Sequence, residues 1–344
     1  MNMASRKTLW LVLAILGVMH AVILCAGFFS PHDPAAQHRL VPFASPARLR
    51  WVDAQGQFHL RPFVYARVPD PANPRALVED RTRLFPLRFF VESWEYRVAG
   101  AFSSRLHLVG AEEPAQLFLL GTDDYGRDVF SRLLHGGQIS LLAGLLAAGL
   151  SLALGATLGT LAGFFGRWAD AGIMRLAELF LSLPWVYLLL AVRAFLPLHI
   201  SPSEAFLLIT VVVGMIGWAR PARLVRGVVL SAKERTFVLA ARGFGASNLY
   251  LLRRHVLPET YGVLLTQASL LIPQYILAEV TLSFLGLGVG EPAASWGNML
   301  SSLQQYHVLT SYWWMFAPGA VLFLFGLGFF LLASALQERA SAAA

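Results

Sequence analysis

The stretch Arg220–Glu259, RPARLVRGVVLSAKERTFVLAARGFGASNLYLLRRHVLPE, decides how the chain is read. It carries Arg220, Arg223, Arg226, Lys233, Arg235, Arg242, Arg253 and Arg254, and it separates two long apolar segments. Basic loops between membrane spans stay on the cytoplasmic side, so this stretch is placed inside. Within it, Thr236–Ala246 reads as a short helix with a glycine-rich exit at Gly243 and Gly245. A short helix presented below a membrane domain suits docking in a groove on another protein. On charge alone, the stretch reads equally well as a solvated basic loop.

The composition fits a membrane setting. Of 344 residues, 56% are hydrophobic and 14% charged, with a mean hydropathy of +0.59. A soluble domain carries roughly 25% charge, so the chain reads as an all-α polytopic membrane protein. The net charge of +7 comes almost entirely from arginine, Lys7 and Lys233 being the only lysines. In such a chain a basic excess speaks of topology and anionic lipid, not nucleic acid. The single cysteine, Cys25, rules out a disulfide framework and a cysteine metal site.

Residues 1–29 form a first span with its N-terminus inside. The apolar run is too long for a signal h-region and no small-x-small site follows. Residues 30–120 are polar and rich in Pro and Arg, an extracytoplasmic insertion whose arginines do not prevent translocation of a long loop. In it Leu49–Leu60, LRWVDAQGQFHL, predicts a β-hairpin about Asp53–Gly56. The insertion reads either as a structural cap or as a docking surface. Residues 121–138 predict an amphipathic interfacial helix, with Val129, Phe130, Leu133 and Leu134 on one side and Asp124 as its cap. Asp123, Asp124 and Asp128 are read as capping and helix-dipole partners, not as a metal or acid–base site.

Residues 139–336 follow as a five-helix core. Ile139–Phe165 has no charge, and Ala147, Ser151, Gly155, Gly159 and Gly163 form a four-residue stripe of small side chains suited to close helix contact. Leu176–Leu198 spans outward with Pro184 as a kink, and Ser203–Trp218 returns. Thr260–Leu285 goes out carrying Gln274, Glu279 and Ser283. Glu279 is a candidate for the translocation path, because an ionisable group in a span is costly unless it faces protein or water; a structural glutamate is the other reading. Trp313–Leu336 is the sixth span, and residues 337–344 are a cytoplasmic tail. Six spans put both termini inside.

No G-x-x-x-x-G-K-[ST], H-E-x-x-H, paired-cysteine or G-x-S-x-G arrangement occurs in the sequence. The chain is therefore expected to bind no cofactor, to use no metal and to catalyse nothing itself.

Four motifs add a family to this reading. Ala240-Ala241, Gly245 and His255-Val256-Leu257-Pro258 resemble the EAA loop of ABC-importer permeases. With Arg242, Gly245-Ala246-Ser247 and Arg254, the form is similar to the dipeptide/oligopeptide/nickel family. Leu120–Val129 (LGTDDYGRDV), Leu181-Ser182-Leu183-Pro184 and Glu279–Gly288 with Ser295–Leu300 resemble the same family. The resemblance covers about Leu120–Leu336. It implies a type I permease fold, a second homologous permease, two ABC ATPases using ATP and Mg, and an extracytoplasmic solute-binding protein, in a bacterial inner membrane. It also implies that Glu234, Thr236, Leu239, Ala240, Ala241, Arg242, Gly245, Ala246, Ser247, His255 and Pro258 couple to an ATPase. One departure is Leu239, which stands where the family has an acid; Glu234 is the nearby substitute. The rival reading is a proton-coupled secondary transporter using Glu279 and Glu178.

Overall fold

The computed structural model describes residues 3–69, 77–98, 102–184, 187, 188, 190, 191 and 201–343. The chain divides into two compact units, one of residues 1–16, 141–282 and 323–344, the other of residues 17–140 and 283–322.

Five helical segments among the described residues are long and apolar enough to cross a membrane: Lys7–Leu24, Val129–Phe165, Pro202–Ala232, Asn248–Phe284 and Trp313–Glu338. The span expected over 176–198 runs into residues outside the described ones. Its described part, α4 (Arg167–Ser182), ends at Leu183, which is extended at φ −83° and ψ 131°. Pro184 follows, and a proline disfavours helical backbone in the residue before it. The expected kink is thus a helix end.

In the first unit the small-residue stripe of α3 (Val129–Phe165) is a packing seam. A Cβ on Gly155 would lie 2.5 Å from Pro221 Cβ, and one on Gly163 2.8 Å from Val229 Cβ; on Gly159 it would collide with the Ala222 carbonyl. Ser151 donates to the Gly214 carbonyl at 2.7 Å and meets the Tyr275 hydroxyl at 2.9 Å. The seam therefore receives α5 (Pro202–Ile216), α6 (Ala219–Ala232) and α9 (Leu257–Phe284). Absent side chains bring the helix backbones close enough for many weak contacts. On α1 (Met3–Leu24), Leu9, Val12 and Leu16 are buried at helical spacing while Trp10, Leu11 and Ile15 stay exposed.

One expectation changes here. The basic stretch was placed in a loop from Arg220 onward, yet α6 carries the helix on to Ala232. Ala219, Pro221, Ala222, Val225, Val229 and Ala232 are all buried. The arginines of α6 occupy the opposite, polar face of an amphipathic helix, so a charge-rich stretch still packs.

The second unit holds α2 (Ala26–Phe29) and five antiparallel strands: β1 (Arg50–Val52), β2 (Phe58–Pro69), β3 (Leu77–Pro86), β4 (Arg88–Val98) and β5 (Phe102–Gly110). They pair as β1-β2-β3 and β4-β5. The β1–β2 hairpin turns where Asp53 accepts from the Gln55 and Gln57 amides at 3.0 and 2.8 Å, with Gly56 at φ +82°. The all-α expectation thus applies to the spans and not to the insertion. Sheet β4-β5 exposes one face, while Tyr96 and His107 on the other are buried against α2, His107 Nδ1 meeting the Gly27 carbonyl at 2.8 Å.

The helix expected over 121–138 also differs. Residues 121–128 form a turn, and α3 starts at Val129 and runs through Gln138 without a break. Asp128, not Asp124, caps it: Oδ2 accepts from the Ser131 amide at 3.0 Å and the Ser131 hydroxyl at 2.5 Å. Later in this unit come α10 (Trp296–Ser301) and α11 (Tyr306–Ser311), before α12 (Ala317–Ala343).

Candidate functional site

The motif residues of the basic stretch meet at one place. Helix α7 (Thr236–Gly243) is followed by Phe244 and by Gly245 at φ +85°. The Gly245 amide donates to the Arg242 carbonyl at 3.0 Å, and the Ala246 amide to the Ala241 carbonyl at 3.1 Å. These two bonds form a Schellman ending, which needs a left-handed residue at the glycine. Ser247 caps the next helix, α8 (Asn248–Leu251), its Oγ accepting from the Tyr250 amide at 3.3 Å. The spacing from Ala241 to Ser247 therefore encodes one helix stop and one helix start.

Beyond α8 the chain widens into a π turn, Leu252–Val256, before α9. Pro258 supplies the reason. Its ring has no N–H and would press on the carbonyl four residues back, and a π turn there relieves both conflicts. His255 lies 5.6 Å from the Phe237 ring and 5.7 Å from the Tyr250 ring, so it links α7, α8 and the π turn.

Few side chains hold this segment down. Val238, Leu251 and Val256 are fully buried, with Val256 packed against Val225, Val229 and Ala232 of α6. Arg235 meets Glu259 at 3.0 Å, and Lys233 donates to the Gly163 carbonyl of α3 at 3.1 Å. Thr236, Leu239, Ala240, Arg242, Gly245, Ser247 and Pro258 are exposed, as is Glu234 in the turn before α7. Ala241, Ala246 and His255 are half-buried. Leu239 and Glu234 thus both face outward. Phe237, Phe244, Leu249 and Tyr250 are exposed as well, Phe244 at 93%. Sequence reasoning missed the anchor Val238 and this aromatic surface, because apolar residues between arginines carry no period.

The second candidate set does not converge. On α9, Gln274 is exposed, whereas Glu279 and Ser283 are buried. Five residues turn a helix through about 140°, so Gln274 and Glu279 lie on different faces. Ser283 Oγ accepts from the Val289 amide at 3.1 Å, a role in shaping the chain after α9.

A site the sequence reading left to capping is an ion cluster on the turn before α3. Arg127 binds Asp123 at 2.7 Å and Glu291 at 2.5 Å, and Arg132 binds Glu291 at 3.0 Å. Asp123, Arg127 and Arg132 are buried. Asp123 also accepts from the Tyr125 and Arg127 amides at 2.9 Å each. Burial pushes the Asp128 carboxyl up to about 6, despite the bonds from Ser131. Burial and the neighbouring Asp123 raise Asp124. Among the described residues no group of three His, Cys, Asp or Glu is placed to hold a metal ion.

Residues 155–342 match the family described as binding-protein-dependent transport system inner membrane component. This chain belongs to that family. Similar curated proteins include a putative peptide permease protein of Brucella suis biovar 1, 39% identical over 65% of this chain and 73% of that one. The probable D,D-dipeptide transport system permease protein DdpC of Escherichia coli K12 is 38% identical over the same shares. The oligopeptide transport system permease protein OppC of Bacillus subtilis is 35% identical over 68% of this chain and 75% of its own. The chain is therefore a multi-pass permease subunit of an ABC importer in a bacterial inner membrane, and it works with ATPase and solute-binding partners. Nothing in the family or the structure favours the proton-coupled alternative.

Proposed function

We propose that the chain forms half of the translocation path of a type I peptide importer. A second homologous permease supplies the other half. Two ABC ATPases bind inside, using ATP and Mg that this chain does not hold, and a binding protein delivers peptide outside. Six spans place both termini in the cytoplasm, the span over 176–198 being the one not fully described.

The observation that carries this reading is α7. It is a helix with most of its surface bare, closed by a Schellman turn at the motif glycine and rigidly founded on Val238, Leu251 and Val256. A bare helix on a firm base transmits force to whatever grips it. In this reading Thr236, Leu239, Ala240, Arg242, Ala246 and Ser247 present the docking face, and Glu234 offers the acid that Leu239 lacks. ATP binding then shifts the permease pair between inward-open and outward-open states through their differential affinity for nucleotide and binding protein. Glu279 acts as a structural acid inside the helix packing, with Gln274 on the side that faces open space.

The test is reconstitution with the ATPase and binding protein. Replacing Phe244 and Leu239 together by Glu is expected to leave the chain inserted and its thermal transition unchanged, and to abolish peptide-dependent ATP hydrolysis. Full coupling in that variant would remove α7 from the interface.

A further inference from the structure

A groove of about 200 Å³ opens between α4, α5, α6 and α9, lined by Phe180, Leu183, Ile216, Leu271, Gln274 and Arg220 among others. Its walls are mainly apolar, with Gln274 and Tyr275 as polar neighbours of Arg220. Among the described residues Arg220 is the one cation on it, and it makes no ion pair or hydrogen bond with any of them.

The depth of Arg220 makes this costly. Trp218 and Pro221, on either side of it, touch Gly155 of α3. Gly155 lies only three residues past the midpoint of the charge-free run Ile139–Phe165, about 4.5 Å along the helix. A guanidinium at that level is retained only where it faces protein, water or a charged partner.

Among the described residues from 139 to 290 no acid is placed to be that partner. Between residues 139 and 290 the acids are Asp170, Glu178, Glu204, Glu234, Glu259 and Glu279. Asp170 pairs with Arg226, Glu178 with Arg175 and Glu259 with Arg235, while Glu204 caps α5. Glu279 is buried with contacts of its own, and Glu234 lies beyond the end of α6. Residues 185–200 contain no Asp or Glu.

We infer that Arg220 is the carboxylate anchor of a solute subsite in this groove. The subsite takes an organic anion with an apolar body, the C-terminal end of a peptide being the form that the importer reading supplies, and the inference rests on that reading for the peptide. The guanidinium fork pairs both carboxylate oxygens. The exposed Gln274 amide donates beside it, and Phe180, Ile216 and Leu271 cover the side chain.

The experiment uses the assembled importer in nanodiscs, with Cys25→Ser and Ile216→Cys introduced. It compares the modification rates of the new thiol by anionic sulfonatoethyl and cationic trimethylammonioethyl methanethiosulfonates. The expected result is a preference for the anionic reagent that falls about a hundredfold in Arg220→Gln, since one charge roughly 10 Å away in an effective dielectric near 20 changes each reagent's rate about tenfold, in opposite directions. The dipeptide Ala-Phe should protect the thiol at least tenfold better than its C-terminal amide, and Arg220→Gln should abolish that difference. Arg220→Lys should keep the reagent preference and weaken protection, since charge remains and the fork is lost. A thiol unreactive to both reagents, or an unchanged preference in Arg220→Gln, would overturn the anchor. An intact, Arg220-dependent preference without Ala-Phe protection would instead overturn the peptide as solute and uphold the anion anchor.

Discussion

Two short turns carry the densest motifs of this chain, and they are built in opposite ways. The turn of residues 121–132 satisfies its charges within its own unit: buried Arg127 and Arg132 are spent on buried Asp123 and on Glu291 at the exposed rim of the cluster. The segment of residues 236–258 spends its motif on geometry, with Gly245 and Ser247 fixing a stop and a start while most side chains stay bare. The first is a lock that needs no partner. The second is a handle whose polar and aromatic groups are left for another protein. A motif's charge content does not tell these apart; what separates them is where the partners of those charges lie.

The lock should break with the largest effect. Arg132→Ala leaves buried Asp123 with Arg127 as its cation and frees the exposed Glu291, so the cost falls below the about 3–5 kcal/mol of breaking a fully buried pair but stays the largest of this set. Thermal unfolding of the detergent-solubilised chain should show this as a large loss, while the double change of Phe244 and Leu239 leaves the transition in place.

The next effect is a pH dependence in the same lock. Asp128 has a carboxyl raised from 3.8 to about 6 by burial. Between those two values the folded state holds more protons than the unfolded one, so this group's contribution to stability falls as pH rises from about 4 to about 6 and stays low above. Asp128→Asn keeps a capping oxygen and removes the charge. It should be more stable than the parent at pH 8, by on the order of 2–3 kcal/mol, and lose that advantage by pH 4. Equal transitions at both pH values would mean that Asp128 is ionised without cost.

Smaller effects belong to the handle, and there they should appear in coupling more than in stability. Gly245→Val forces a branched residue into left-handed backbone, which costs roughly 1–2 kcal/mol. Val at that position should leave the chain inserted and ATP hydrolysis by the partners running, with uptake lost. Ser247→Ala removes one cap, worth about 1 kcal/mol, and should lower uptake partially. A Ser247→Ala change that destabilised the whole chain as much as Arg132→Ala would erase the distinction between lock and handle.

Much of this was legible in the sequence for identifiable reasons. The stripe from Ala147 to Gly163 has a strict period, and periodic small residues in an apolar run announce a helix seam. The Ala240–Ser247 spacing announced a helix with a glycine exit, since few residues other than Gly tolerate the backbone that a Schellman ending needs. Legibility failed where one residue type serves two ends. Arginines signalled a cytoplasmic loop from Arg220, yet α6 buries an apolar face between them and continues the helix. Asp124 and Asp128 stand alike in the sequence as caps, and only the hydrogen bonds of Ser131 choose Asp128. The strands β3 to β5 were missed because their alternation, as in Ser93–Val98, is short and set among arginines and glutamates. The ion cluster was invisible because Glu291 lies far along the chain from Arg127 and Arg132.

The central claim is that the bare helix α7 is the grip of an ATPase on a permease. Purification of the tagged chain from its native membrane in mild detergent, with quantitative mass spectrometry of what accompanies it, tests this most directly. The account predicts a second permease and P-loop ATPases in stoichiometric amounts, with the ATPases alone lost when Phe244 and Leu239 are replaced by Glu. Recovery of the chain by itself, or as a homo-oligomer that still drives uptake without an ATPase, would contradict it.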